Sequence, residues 1–251
     1  MQPMPALSLL AVLFFAGCDK GAPAADETPT APVASVAAAA SPPATPLPKG
    51  APMTKEYTAT PNDKLGVLPN GMGIAVGRPA PDFTVTNLDG ASTSLAALRD
   101  KHGAILLAFY RGGWCPYCNF EIRALSKVFP EFKNKAVTPV AISVDKVDEA
   151  SKTNATYEIP FPVLSDPDLR AHEAFRVVHE ASDEEVTRLR GFGIDIERSS
   201  GKTHHKFAVP AFFLIDAQGV VRWAHADPEY KVRPTTEQLL AAIDGANLSP
   251  K

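Results

Sequence analysis

The sequence predicts an α/β protein in which one globular domain, a central mixed β-sheet flanked by helices, is set behind a long non-globular stretch. Residues 104–110 (AILLAFY) run without a polar interruption, as a strand buried on both faces of a sheet requires. Ile122, Leu125, Val128 and Phe129 then recur at helical spacing, and residues 137–144 return to the buried-strand pattern. Residues 19–55, by contrast, hold eight of the chain's 24 prolines and eleven alanines with scarcely a large apolar side chain. Such a stretch cannot bury a core and reads as a disordered or polyproline-like tether.

At the start of the chain, residues 6–16 (ALSLLAVLFFA) suit the core of a secretion signal and fall well short of the ~20 apolar residues that span a bilayer. Phe15-Ala16-Gly17-Cys18 resembles a bacterial lipobox. That resemblance implies a signal peptide over residues 1–17, lipidation of the Cys18 sulfur, and a lipid anchor on the periplasmic side of a bacterial cell envelope. An ordinary signal peptide or a short uncleaved anchor is the alternative. Acyl chains add about 0.8 kcal/mol of membrane affinity per buried methylene, and two anchors suffice for stable attachment. Residues 18–55 are then the Ala/Pro-rich tether, 56–73 a linker or domain extension, and 74–248 the domain.

Within the domain, Phe83, Thr84 and Val85 read as a short strand before the turn Asn87-Leu88-Asp89-Gly90, and Leu95 and Leu98 as the inner face of a short helix. After the strand at 104–110 comes a helix over residues 115–132 and the strand at 137–144. Residues 211–215 and 220–223 read as a hairpin turned by Asp216-Ala217-Gln218-Gly219. Thr235 with Gln238 is a capping box that opens the last helix, which stops near Gly245. Ser182 with Glu185 is a second box, opening a helix that ends by Gly191. Between Arg176 and Lys206 the pattern gives no larger organisation.

The chemistry is concentrated in Tyr110-Arg111-Gly112-Gly113-Trp114-Cys115-Pro116-Tyr117-Cys118-Asn119-Phe120-Glu121. A buried strand runs into two glycines, which permit a tight turn, and then into Cys-x-x-Cys at the mouth of a helix. With Cys115 as cap and Pro116 at the first helical position, the free N–H groups of the first turn and the positive end of the helix dipole face the Cys115 sulfur. That environment turns a thiol of pKa ~8.5 into a thiolate near neutrality. One helical turn separates the two cysteines, about the Cα spacing a disulfide needs, so a mixed disulfide on one sulfur can be resolved by the other. A zinc site would need two more ligands, for which only His204 and His205 are offered, and no metal is expected. A bridge across one helix turn closes too short a loop to act as a structural staple.

These residues, with the proline that heads the apolar strand in Phe207-Ala208-Val209-Pro210-Ala211-Phe212, resemble the thioredoxin superfamily over about residues 74–248. The closer resemblance is to its alkyl hydroperoxide reductase (AhpC/TSA) or peroxiredoxin-like branch. Ala80-Pro81-Asp82-Phe83 matches the Ala-Pro-x-Phe segment with which that branch opens, and residues 109–121 align without a gap with its Phe-Tyr-Pro-x-x-x-Thr-x-x-Cys-x-x-Glu motif. The resemblance implies a thioredoxin-like fold with an N-terminal extension and an insertion before the strand headed by a cis Val209-Pro210. That dipeptide would lie against the active disulfide and leave the Val209 backbone free to pair with an incoming peptide, with Trp114 shaping access beside the thiols. The alignment places the branch's peroxidatic cysteine on Cys118. It also shows three replacements: Arg111 stands for the motif Pro, Cys115 for the Thr that binds peroxide, and Pro210 for the downstream Arg of the peroxide site.

Two assignments of the nucleophile stay open. By thioredoxin logic Cys115 attacks a disulfide and Cys118 resolves; by peroxiredoxin logic peroxide oxidises Cys118 and Cys115 condenses with the sulfenic acid. Both end in a Cys115–Cys118 disulfide, need no cofactor, and turn over on an external thiol reductant, thioredoxin-like or a membrane electron donor. Protein disulfides are the expected substrate, with hydroperoxides slower because the Thr and Arg are replaced. Arg111 is then the guanidinium left to serve a thiolate or an anionic substrate, and Glu121 reads as a partner for the helix dipole. From another class, thioredoxin-fold copper chaperones hold Cu(I) with two cysteines and a distant histidine, a part for His204 or His205, but they space their cysteines by three residues. A net charge of −3 without a basic cluster argues against nucleic acid as a partner.

Overall fold

A computed structural model describes residues 56–246 and Leu248. Cys18, the apolar run at 6–16 and the tether at 19–55 lie outside the described residues. The described chain opens with a two-residue strand, β1 (Thr58–Ala59), and a segment that packs Leu68 and Ile74 against the core. β2 (Thr84–Asn87) turns at Gly90 (φ 83°) into β3 (Ser92–Ser94). α1 (Leu95–His102) is capped by Ser94, whose hydroxyl accepts the Ala97 N–H at 3.1 Å, and leads to β4 (Ala104–Phe109).

The single helix expected over residues 115–132 is two: α2 (Pro116–Lys127) and α3 (Phe129–Asn134). The break has a covalent cause, because Pro130 has no N–H to give to the carbonyl one turn back and its ring crowds that turn. β5 (Val137–Ser143), α4 (Val147–Tyr157), β6 (Val163–Ser165) and α5 (Arg170–Ala174) follow. The section from Arg176 to Lys206 resolves into β7 (Val178–Glu180), α6 (Asp183–Gly191) and α7 (Ile196–Ser200), and β8 (Lys206–Ala208) pairs back antiparallel to β7. The hairpin is present as β9 (Ala211–Ile215) and β10 (Val221–Ala226), closed by the Asp216 N–H on the Val220 carbonyl at 3.0 Å. β11 (Val232–Arg233) precedes α8 (Thr236–Gly245), in which Thr235 and Gln238 make both halves of the capping box.

Seven strands form one mixed sheet in the order β10-β9-β4-β5-β6-β2-β3, with β4, β5 and β6 parallel and the rest antiparallel to their neighbours. The pleat divides the central strand between two cores. Ile105, Leu107 and Phe109 point into one with Leu95 and Leu98 of α1 and Ala171 of α5; Leu106, Ala108 and Tyr110 point into the other with Ile122 and Leu125 of α2 and Leu239 and Ile243 of α8. Helices on both faces explain why β4 has no polar position. A third, smaller core of Val186, Leu189, Ile194, Ile196 and Phe207 lies under α6 and α7. Among the described residues no helix is long and apolar enough to cross a membrane.

Candidate active site

β4 delivers the chain at the C-terminal edge of the sheet's centre, and the next six residues form a turn that hands it to α2. The turn is fixed from both sides. Gly113 donates its N–H to Asp145 Oδ2 at 2.7 Å, Asn119 Nδ2 donates to the Gly113 carbonyl at 2.7 Å, and the Cys115 N–H closes on the Gly112 carbonyl at 3.1 Å. Both glycines are required by space, and Gly112 by its backbone conformation as well. A Cβ on Gly112 (φ 146°) would meet Trp114 Nε1 and Asp145 Oδ1, and one on Gly113 would run into Thr153 Oγ1. Cys115 caps α2 with extended backbone, Pro116 follows it in the helix's first turn, and Cys118 completes that turn.

Both thiols are free and almost fully buried, with Cys115 1% and Cys118 0% exposed. Cys118 Sγ accepts the Arg111 backbone N–H at 3.4 Å and Arg233 Nη2 at 3.1 Å. Arg233, from β11, spends its other groups nearby: Nε donates to the Tyr230 carbonyl at 2.9 Å and Nη1 pairs with Glu121 Oε2. Glu121 sits one turn beyond Cys118 on α2, so the helix puts both on one face toward the same guanidinium. Glu121 and Arg233 are 2% and 1% exposed. Glu121, expected to pair with the helix dipole, is paired with Arg233 instead, and the guanidinium on Cys118 comes from β11. Nothing local in the sequence marks Arg233, which is remote from the motif; the available signal was Glu121, an acid on the buried face of α2 that needed a cation.

The two sulfurs share their protons. Burial pushes the Cys115 thiol up, but the hydrogen bond from Cys118 and the charges of Arg111 and Arg233 overcome it and bring Cys115 down to about 6. Burial and donation to Cys115 hold Cys118 well above its ordinary value, against the pull of Arg233. These opposite shifts favour negative charge on Cys115 over Cys118, with Cys118 donating the hydrogen bond between them. Two buried acids face this charge. Burial raises Glu121 to about 7 despite Arg233, and burial raises Asp145 to about 7 despite its bonds to Gly113 and Ser143. Glu121 Oε1 and Asp145 Oδ1 have no hydrogen-bond partner among the described residues.

Arg111 lies against the mouth of the site instead of on a thiol. Its guanidinium is stacked over Trp114, Phe207 and Tyr230 at 4.9, 4.5 and 4.2 Å from the ring centroids, and Nη2 pairs with Glu185 Oε1 at 3.2 Å. Glu185 Oε2 meets His179 Nε2 at 2.7 Å. The Ser182 hydroxyl does accept the Glu185 N–H at 3.2 Å, yet the second half of that expected box is missing because the carboxylate is turned to Arg111. Arg111, His179, Glu185 and Phe207 line a small cleft with Val209, Pro210, Pro228 and Tyr230, of about 40 Å³. The Val209 N–H donates to the Val177 carbonyl at 2.7 Å, so the donor expected to be open to an incoming peptide is already taken by the insertion. His204 Nε2 is bonded to the Pro167 carbonyl at 3.0 Å and His205 Nε2 to Glu197 Oε1 at 2.7 Å, and among the described residues no cluster of three or more His, Cys, Asp or Glu could hold a metal ion.

A buried dithiol at a helix mouth, on the edge of a mixed sheet flanked by helices, defines a thiol-dependent redox protein of the thioredoxin-like fold. The pattern described as the AhpC/TSA family matches residues 76–224, more than half of the chain, and the chain belongs to that family. It is similar to the thiol-disulfide oxidoreductase ResA of Bacillus thuringiensis, with 35% identity over 94 residues, 37% of this chain and 53% of that protein. It is also similar to a peroxiredoxin of Thermoplasma volcanium, with 29% identity over 158 residues, 61% of this chain and 65% of that one. The chain thus spans about half the length of the ResA proteins it matches. Among solved structures, a crystal structure of peroxidoxin BcpB from Mycobacterium tuberculosis superposes with a TM-score of 0.53 at 20% identity, covering 69% of this chain and 97% of that one. Reduced Prx3 of Vibrio vulnificus in complex with hydrogen peroxide gives 0.55 at 18% identity, covering 68% and 99%. These likenesses establish the thioredoxin-like fold.

Proposed function

We propose that the chain is a thiol oxidoreductase that cycles Cys115 and Cys118 between dithiol and disulfide and meets its oxidising substrate at Cys115. The observation that carries this reading is the pair of free, buried sulfurs one helical turn apart at the mouth of α2, beside the Arg233–Glu121 pair. The Cys115 thiolate attacks one sulfur of a substrate disulfide and forms a mixed disulfide with it, while the other substrate sulfur leaves as a thiolate. Cys118 then gives up its proton, to the departing thiolate or to Glu121, and attacks the Cys115 sulfur of the mixed disulfide. The second substrate thiolate leaves, and two electrons have passed from protein to substrate. Arg233 stabilises charge on Cys118 in that step and again when an external thiol reductant reopens the disulfide. The burial of both sulfurs and the engaged Val209 N–H favour a compact substrate over the disulfide of a folded protein.

A second reading, hydroperoxide reduction with Cys118 as the attacking sulfur, is favoured by the Arg233 and Arg111 donors on Cys118 Sγ. Serine replacements separate the two. With a small disulfide, Cys118→Ser should accumulate a mixed disulfide on Cys115, detected by mass spectrometry, and Cys115→Ser should form none. If Cys115→Ser is instead oxidised rapidly by hydrogen peroxide to a sulfenic acid on Cys118, the second reading replaces the first. Envelope attachment through Cys18 belongs to the same proposal, supported by the lipobox-like tetrad and the tether sequence. Cys18→Ser should leave the membrane fraction while still being exported; unchanged partitioning would exclude the lipid anchor.

A further inference from the structure

The residue that completes the site, Arg233, stands on a strand of two residues whose ladder partner is β1. Strands this short have no stability of their own. Apart from the guanidinium's own bonds to Glu121 and Cys118, whose geometry is what has to be held, the segment's other bonds are local: Arg233 Nε reaches the Tyr230 carbonyl and the Val232 N–H the Glu229 carbonyl at 2.8 Å, so they travel with it. β1 ties it to the body. The Thr58 N–H donates to the Lys231 carbonyl at 2.7 Å and the Thr60 N–H to the Arg233 carbonyl at 2.8 Å, bracketing the guanidinium-bearing residue. Thr60 is anchored in turn, since its carbonyl accepts Gln238 Nε2 at 2.8 Å, from the residue that closes the α8 cap. Tyr57 packs edge-on against Phe120 at 5.4 Å, next to Glu121, and its phenol lies near enough to Glu121 and Arg233 to feel both charges.

We propose that residues 57–60 are positioning residues of the active site: they hold β11 in the register that puts Arg233 on Cys118 Sγ, and they keep water from the Glu121–Arg233 pair. A charge-assisted hydrogen bond keeps its strength only with fixed geometry and a dry surround. This inference rests on the reading of Arg233 as the group that stabilises charge on Cys118.

The test uses full-length protein with Cys18→Ser and Cys115→Ser, so that the thiol titrated by its ultraviolet thiolate absorbance is Cys118. The groups facing that sulfur in this background are Arg233, Glu121, Asp145, Tyr110 and the Arg111 N–H. Thr60→Pro, which removes the N–H on Arg233, and Tyr57→Ala should each raise the Cys118 pKa by about one unit, a tenfold loss of thiolate at a pH below it. Tyr57→Phe, which keeps the ring contact, should titrate as the parent. In an Arg233→Met background the first two substitutions should cause no further shift. If Thr60→Pro does not fold, Tyr57→Ala decides. An unchanged titration in folded variants, while Arg233→Met alone shifts it, would show that residues 57–60 only stabilise the fold. No shift in Arg233→Met would overturn the reading of the site and the inference with it.

Discussion

Replacing Arg233 with methionine removes the guanidinium from between Cys118 and Glu121 while filling much of its buried volume. The reduced protein carries one thiolate charge on the sulfur pair, and Arg233 acts on both sulfurs. A hydrogen bond to a charged group contributes about 1.5–3 kcal/mol, so the reduced form should lose roughly that much relative to the disulfide. For two electrons, about 30 mV corresponds to 1.4 kcal/mol, and the reduction potential should fall by roughly 30–60 mV. The direction follows from which state holds the charge: destabilising the thiolate makes the disulfide harder to reduce. Breaking a buried pair costs about 3–5 kcal/mol when the remaining charge has no partner. Glu121, already raised to about 7, escapes that cost by taking up a proton, so the loss of stability should be largest above neutrality and smaller in acid. The assay is equilibration of the variant against a glutathione redox buffer, followed by quantitation of the disulfide. A potential equal to that of the unsubstituted protein, or a more positive one, would refute the assignment of Arg233 as the thiolate's partner.

Glu121→Gln keeps an acceptor for Arg233 but cannot titrate. Because the folded pKa of Glu121 lies above its ordinary 4.5, its contribution to stability is present below that value and lost as pH rises through about 7, on the order of 3 kcal/mol. Denaturant unfolding across that window should show a shallower decline in the variant, with a residual slope from Asp145. Gly113→Ala should cost about 1–3 kcal/mol from the collision with Thr153 Oγ1, and a companion Thr153→Ala should recover most of it in thermal unfolding. Glu185→Ala leaves the buried Arg111 guanidinium without its carboxylate; it should cost about 3 kcal/mol in stability and speed alkylation of Cys115 by a bulky reagent more than by a small one.

The parts of the fold legible in the sequence are those where one physical rule acts alone. The 104–110 strand is buried on both faces and shows no polar residue, and the Thr235 box is closed by its own two side chains. The hairpin at Asp216 is closed locally as well. Where a side chain has two possible partners, local rules fail. The Glu185 carboxylate follows Arg111 instead of completing its cap, and Pro130 divides a helix whose apolar spacing continues across the break. The same division holds at the site. Cys115 and Cys118 could be read from spacing, because the turn and helix mouth that carry them are local. Arg233, Asp145, His179 and Glu185 arrive from other strands and from the insertion, and no spacing rule connects them to the motif. Val209 was expected to have its backbone free because the family resemblance implied it, and the insertion that takes its N–H was the part of the sequence without a readable pattern.

The most direct test is to ask which sulfur bears the charge. With cysteine labelled at Cβ, an NMR pH titration of the reduced protein reports on each thiol separately. The shared-proton site predicts that Cys115 ionises near 6 while Cys118 keeps its proton to well above the usual thiol range. If Cys118 ionises first, or if both titrate near ~8.5 as isolated thiols do, the proposed cycle, with Cys115 attacking and Cys118 resolving, is contradicted.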